Sequence, residues 1–169
     1  MKTVLYAQPY DICAKGFYFS DREEFQQKLH NARSEYGEPV EEFELQFIDG
    51  EEIDCALAKA WELNQCNAKR FLDVIDEWDE QQKRCFIVGV GECGCMFDQE
   101  QDDPDALDID LFEVDSLREL AEQFIDEGLF GDIPENIAHY LDYDAIARDL
   151  GFDYSMTEIA GKRLAYRCD

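Results

Sequence analysis

Asp108-Ile109-Asp110-Leu111-Phe112-Glu113-Val114-Asp115-Ser116-Leu117-Arg118-Glu119-Leu120-Ala121-Glu122-Gln123-Phe124-Ile125-Asp126-Glu127-Gly128 changes its period midway. Residues 108–114 alternate charged with apolar side chains, which predicts a strand with one wet face. From Leu117 the apolar positions follow helical spacing. Ser116 is placed to cap that helix, with Glu119 three residues on as its partner, and Gly128 is placed to close it. A strand runs directly into a helix, and no second parallel strand follows at βαβ spacing. That order argues for an α+β fold.

Working outward, the stretch lies inside a longer acidic one. Residues 98–153 hold nineteen carboxylates against two bases, Arg118 and Arg148, a net charge of −17. It opens with Asp98-Gln99-Glu100-Gln101-Asp102-Asp103-Pro104-Asp105. Leu107, Ile109, Leu111, Phe112, Leu117, Leu120, Ala121, Phe124, Ile125, Leu129, Phe130, Ile133, Ile137, Tyr140 and Leu141 accompany the acids and are expected to supply a core. A disordered acidic tail lacks such residues. The expectation is a folded surface coated with negative charge, with the function in that coat.

The charge is uneven along the chain. Residues 1–97 sum to −10 and residues 154–169 to +1, within a total of −26 over 169 residues. Chain length allows one sound core or two or three small ones in a row. Self-repulsion favours the elongated option, because like charges repel least when spread along a long body. A partner is expected to be basic, and direct nucleic-acid binding through phosphate neutralisation is excluded. The amino-terminal residues carry no long apolar h-region, and no apolar run reaches the length of a membrane span. Seven cysteines, Cys13, Cys55, Cys66, Cys85, Cys93, Cys95 and Cys168, are therefore expected as free thiols in a reducing cytoplasm.

Toward the amino terminus, residues 2–6 and 16–20 read as short strands separated by the turn formers Pro9, Asp11 and Gly16. Ser20 with Glu23 predicts a capping box for a helix running to about Arg33. Residues 42–49 alternate as a strand. From Ile53 the spacing turns helical, with Ala56, Leu57, Ala60, Trp61 and Leu63 in one segment and Phe71, Leu72, Ile75 and Trp78 in the next. Residues 83–90 are open from propensity alone, since Cys85-Phe86-Ile87-Val88 favours strand and its neighbours favour helix. Toward the carboxyl terminus, Pro134 opens a short helix to Tyr140, Asp142 caps another that Gly151 ends, and Ala160-Gly161 joins a terminal hairpin.

Motifs for small-molecule chemistry fail on context. Gly89-Val90-Gly91-Glu92-Cys93-Gly94 matches G-x-G-x-x-G, but carboxylates follow where a phosphate-binding helix would have to start. The cysteines are too irregularly spaced for a zinc ribbon, and only His30 and His139 could complete a set. Asp98, Glu100 and Asp102 alternate like the first ligands of a calcium loop, yet Asp103 stands where glycine is wanted and Ile109 where a bidentate Glu belongs. No serine or cysteine motif accompanies either histidine, so no catalytic residue, cofactor or metal is expected. Two other readings stay open: a small acidic calcium- or metal-binding protein, and an acidic adaptor for another basic DNA-binding protein.

The coat itself is the remaining candidate. Duplex DNA carries one phosphate charge per ~1.7 Å of axis, so a net charge of −26 corresponds to roughly 44 Å, about thirteen base pairs. A symmetric pair would double that length.

Leu129-Phe130-Gly131-Asp132-Ile133-Pro134-Glu135-Asn136-Ile137-Ala138-His139-Tyr140-Leu141-Asp142-Tyr143-Asp144-Ala145-Ile146-Ala147-Arg148-Asp149-Leu150 resembles the antirestriction motif region of ArdA-type antirestriction proteins. The steps carried are a Gly- and Leu-containing turn, an acid, an Ile-Pro-Glu step, an apolar run ending in Tyr, Asp-Tyr and Arg-Asp-Leu. Length, acidity and element order match along the whole chain, with residues 116–153 the specific part. Near the amino terminus the family's Tyr-Asn-x-Gly pattern is diverged to Tyr10-Asp11-Ile12-Cys13-Ala14-Lys15-Gly16. The resemblance implies a bacterial, cytoplasmic, non-catalytic DNA mimic, usually borne on a mobile element. Its implied partner is the DNA-binding groove of a type I restriction-modification enzyme, in the methyltransferase and specificity core. It implies three small parts in a row: a β-rich part with one helix (1–52), a central helical bundle (53–97) and an acidic α+β part (98–169). It thereby tips residues 83–90 to helix. It also implies a homodimer with Ile133, Pro134, Tyr140, Leu141 and Tyr143 at the contact. Standing in for phosphates would be Asp98, Glu100, Asp102, Asp103, Asp105, Asp108, Asp110, Glu113, Asp115, Glu119, Glu122, Asp126, Glu127, Asp132 and Glu135.

Overall fold

The structure is a computed structural model and describes residues 1–168. It divides into two compact units, Met1–Leu107 and a second beginning at Asp108. Both are α+β.

In the first unit, strands β1 (Val4–Pro9), β2 (Phe17–Phe19) and β3 (Phe43–Asp49) form an antiparallel sheet in the order β2-β1-β3. Alternation along β1 and β3 sends Leu5, Ala7, Phe43 and Leu45 inward. There they meet Phe19 and Phe25, whose rings lie 4.5 Å apart. Phe25 belongs to helix α1 (Arg22–Asn31). The helix starts one residue later than the sequence suggests. Asp21, not Ser20, is the cap and accepts the Glu24 N–H at 2.8 Å, while Glu24 reaches back to the Ser20 N–H at 2.9 Å. An aspartate next to a serine competes for the same cap, and here it also pairs with Lys2.

Helices α2 (Glu52–Ala60), α3 (Ala68–Glu77) and α4 (Glu80–Phe86) follow, and a π-helical turn, Ile87–Glu92, prolongs α4. Residues 83–90 are thus helical. Phe86, Ile87 and Val88 are buried, and Phe86 packs on Trp61 and Trp78. A capping box at Asp79 and Gln82 starts the helix, and burial among aromatic rings overrides the local strand propensity. Gly89-Val90-Gly91 lies within this helical run, so the G-x-G-x-x-G letters end a helix instead of opening one.

The second unit contains strand β4 (Ile109–Glu113), helices α5 (Leu117–Asp126), α6 (Glu135–Ala138) and α7 (Tyr143–Leu150), and strands β5 (Ser155–Ile159) and β6 (Lys162–Cys168). Its sheet has the order β4-β6-β5, with both pairings antiparallel. Ser116 caps α5 as expected and accepts the Glu119 N–H, but Glu119 returns to the N–H of Asp115. At the far end Gly128 (φ +74°) carries the left-handed turn that lets Leu129 N–H reach the Phe124 carbonyl, a Schellman closure. Leu120, Phe124, Val114, Tyr154 and Ala165 form the core, flanked by Phe112, Leu117 and Leu150.

Two expectations are corrected. Leu129, Phe130, Ile137 and Tyr140 are exposed and do not supply the core. They lie in a stretch whose longest helix, α6, has four residues and buries none of them, so nothing turns these side chains inward. Cys13, Cys55, Cys66, Cys85 and Cys95 are free thiols, but Cys93 and Cys168 are not, which corrects the expectation for those two. Among the described residues no helix is long and apolar enough to cross a membrane.

Candidate functional site

Fourteen of the fifteen carboxylates singled out from sequence are exposed, and Asp110 alone is half-buried. The fold sorts them into two kinds. Some are held by the chain itself. In the first unit Asp102 accepts the Asp98 N–H at 2.7 Å, Asp98 accepts the Glu100 N–H at 3.0 Å, Asp103 caps the turn Pro104–Ala106, and Asp105 accepts from Gln82 Nε2 at 3.0 Å. These bonds spend one oxygen of each carboxylate on a backbone or amide donor and fix the direction of the other. No charge is cancelled. Asp98 and Asp102 therefore serve a turn. Among the described residues no group of three or more His, Cys, Asp or Glu side chains is arranged to hold a metal ion.

In the second unit some acids are neutralised. Arg167 pairs with Asp110 at 2.6 Å and Lys162 with Glu113 at 3.3 Å, so the bases of β6 meet the acids of β4 across the ladder. Arg118 spans two carboxylates, Glu122 at 3.2 Å on its own helix and Asp144 at 2.8 Å on α7. Those two hydrogen bonds, the Asp144 one first, hold the Arg118 guanidinium above its ordinary value. By contrast Asp108, Asp115, Asp126, Asp132 and Glu135 are exposed and make no ion pair among the described residues. Within the second unit, unpaired charge therefore concentrates near the element ends and on the segment after Gly128.

The sequence reading overlooked a second group of acids. In the first unit a cleft between the start of α1 and the face of α3 is lined by Asp21, Glu23, Asp73, Asp76 and Glu77, with Arg22 paired to Asp73 at 2.8 Å. Arg22 and Asp73 are far apart in the chain, and no local pattern brings them together. The Glu24 N–H at the helix cap, with Lys2 adding to it, holds Asp21 below its ordinary value of 3.8.

The proposed contact residues fall into two groups. Pro134 and Tyr140 are exposed, Tyr140 at 86%, whereas Ile133, Leu141 and Tyr143 are half-buried. Leu129 (63% exposed), Phe130 (56%) and Ile137 (48%) join them as unburied apolar side chains in the same segment. Their helical or loop spacing reads like core in sequence, and only the missing cover distinguishes them.

A family model described as "Antirestriction protein (ArdA)" matches residues 15–162 of the 169. No curated protein matches the chain.

Proposed function

The chain belongs to the ArdA family of antirestriction proteins, and from that premise we propose that it blocks type I restriction-modification enzymes as a DNA mimic. Its coat would occupy the DNA-binding groove of the methyltransferase and specificity core and exclude duplex DNA by competition. The observation that carries this reading is the exposure of fourteen of the fifteen carboxylates within a stretch whose opposing bases are Arg118 and Arg148 alone. A groove built to grip phosphates meets these carboxylates, of which all but Asp110, Glu113 and Glu122 lack an ion pair among the described residues. Ions held at both surfaces are released on binding, and affinity falls steeply as salt rises. No catalytic residue, cofactor or nucleic-acid contact is part of the mechanism. It acts in the bacterial cytoplasm and divides into the working parts 1–52, 53–97 and 98–169.

The test is inhibition of a type I enzyme's cleavage in competition with duplex DNA. Replacing Asp98, Asp102, Asp103, Asp105, Asp108 and Asp115 by Asn, one after another, is expected to weaken inhibition progressively. It should also flatten its salt dependence, with no single step decisive. Undiminished inhibition by the sixfold variant would overturn the reading.

The same reading includes a homodimer through the segment that holds Leu129, Phe130, Ile137 and Tyr140, whose exposed apolar surface supports it. Tyr140→Ala removes a side chain that is 86% exposed and is expected to leave the fold intact while yielding a smaller species in sedimentation. Unchanged sedimentation would remove the dimer from the proposal.

A further inference from the structure

We infer that Arg118 is a positioning residue for the inhibitory surface, a cation whose removal weakens binding to a basic partner although it makes the protein more acidic. The inference rests on the coat being the binding surface and adds which of its charges must be held in place. Residues 98–153 contain two bases, and the fold treats them differently. Arg148 is exposed on α7 and makes no ion pair among the described residues. Arg118 is placed on α5 beside Leu117, which packs on the core cluster together with Leu150 of α7. Its Nε donates to Glu122 Oε1 and its Nη1 to Asp144 Oδ1.

The geometry leaves Glu122 Oε2 and Asp144 Oδ2 without a donor among the described residues, and both side chains are exposed, at 47% and 69%. One planar guanidinium thus sets the relative position of two exposed carboxylates on two different helices, through two N–H donors in a fixed plane that a point charge lacks. Without it, two like charges would face each other across the α5–α7 contact, and each side chain would regain its rotamers. A surface assembled in advance binds more tightly than one that must be ordered on contact.

Counting charge and positioning charge predict opposite signs. Arg118→Ala and Arg148→Ala make the same change in net charge. If charge alone matters, both variants inhibit at least as well as the parent. Positioning by Arg118 predicts that Arg148→Ala does so, whereas Arg118→Ala inhibits roughly three- to tenfold less well. Inhibition constants for a type I enzyme, measured against duplex DNA over a series of salt concentrations, separate the two. In the Glu122→Gln, Asp144→Asn background Arg118→Ala is expected to add nothing further, an interdependence that a general loss of stability would not produce.

Circular dichroism and thermal melts check the fold. Should Arg118→Ala unfold the second unit, Arg118→Gln carries the same comparison with a longer polar side chain. Equal inhibition by the Arg118 and Arg148 variants, or an additive effect in the Gln/Asn background, would overturn the inference. The sixfold acid-neutralised variant is measured alongside. If it still inhibits like the parent, the coat reading itself fails; if it is weakened while Arg118→Ala is not, only the positioning role falls.

Discussion

Replacing Lys83 by Met would strand a carboxylate inside the first unit. Asp54 on α2 is 5% exposed and Lys83 on α4 is 7% exposed, with Nζ 2.7 Å from Oδ1. Lys83 also donates to the Ile75 carbonyl at 2.8 Å, and the Thr3 hydroxyl sits 3.4 Å from Asp54 Oδ2. The pair thus ties the start of the sheet to α2, α3 and α4. At an effective dielectric of about 20, charges this close attract by roughly 6 kcal/mol. Desolvation opposes this with several kcal/mol per ion, so the net worth of the intact pair is small. Losing one partner is different, because the remaining ion keeps its desolvation cost and has only a distant hydroxyl to answer it. Lys83→Met should therefore cost roughly 3–5 kcal/mol, a large part of a typical folding free energy. Urea unfolding followed by tryptophan fluorescence reports on this unit, since Trp61 and Trp78 are the chain's only tryptophans and both are buried there. The double variant Asp54→Leu, Lys83→Met should recover most of the loss. A single variant within about 1 kcal/mol of the parent, or a double variant equal to the sum of both singles, would refute the reasoning.

Two further predictions concern local geometry. Ala160 (φ +50°) and Gly161 (φ +75°) form the two-residue turn between β5 and β6, and both left-handed values mark a type I′ turn that suits Asn-Gly. Ala160→Asn is expected to stabilise the second unit by about 0.5–1 kcal/mol in the same urea assay, and no gain would show that the hairpin is not strained there. Asp21→Ala should lower the melting midpoint at neutral pH through loss of the α1 cap. Asp21→Asn should keep the cap but lose the titration. Asp21 and Glu24 are both held below their ordinary values, 3.8 and 4.5, Glu24 chiefly by its bond from Lys28. Their contribution is present above those unfolded values and is lost as pH falls through the lower folded ones, so the Asn variant should show a shallower acid loss below about pH 4. Parallel acid profiles for parent and Asp21→Asn would count against this.

Local sequence was sufficient wherever one side chain answers a backbone need or one period repeats. The alternation over β3, the Ser116 and Asp142 caps, the Gly128 closure and the hairpin all follow from neighbours within a few residues, which is the range over which caps, turns and strand faces act. The one wet face expected of β4 did not follow, since Ile109, Asp110, Leu111 and Phe112 are all half-buried. The excess of acid over base along residues 98–153 was legible for the same reason, since charge adds without reference to shape. Asp21 took the cap that Ser20 with Glu23 had suggested, because two adjacent acceptors differ only in what else they can reach.

Tertiary structure decided what depends on distant partners. Residues 83–90 became helical because Trp61 and Trp78 bury Phe86 there, a contact no propensity contains. Leu129, Phe130, Ile137 and Tyr140 look like core by composition and stay exposed, because burial requires a covering element and local spacing cannot supply one. Sequence likewise counts Asp110, Glu113, Glu122 and Asp108 as equals. Only the ladder to β6 and the reach of Arg118 divide these neutralised carboxylates from Asp108, which is left open, because ion pairing falls off within a few ångströms in space and is blind to separation along the chain.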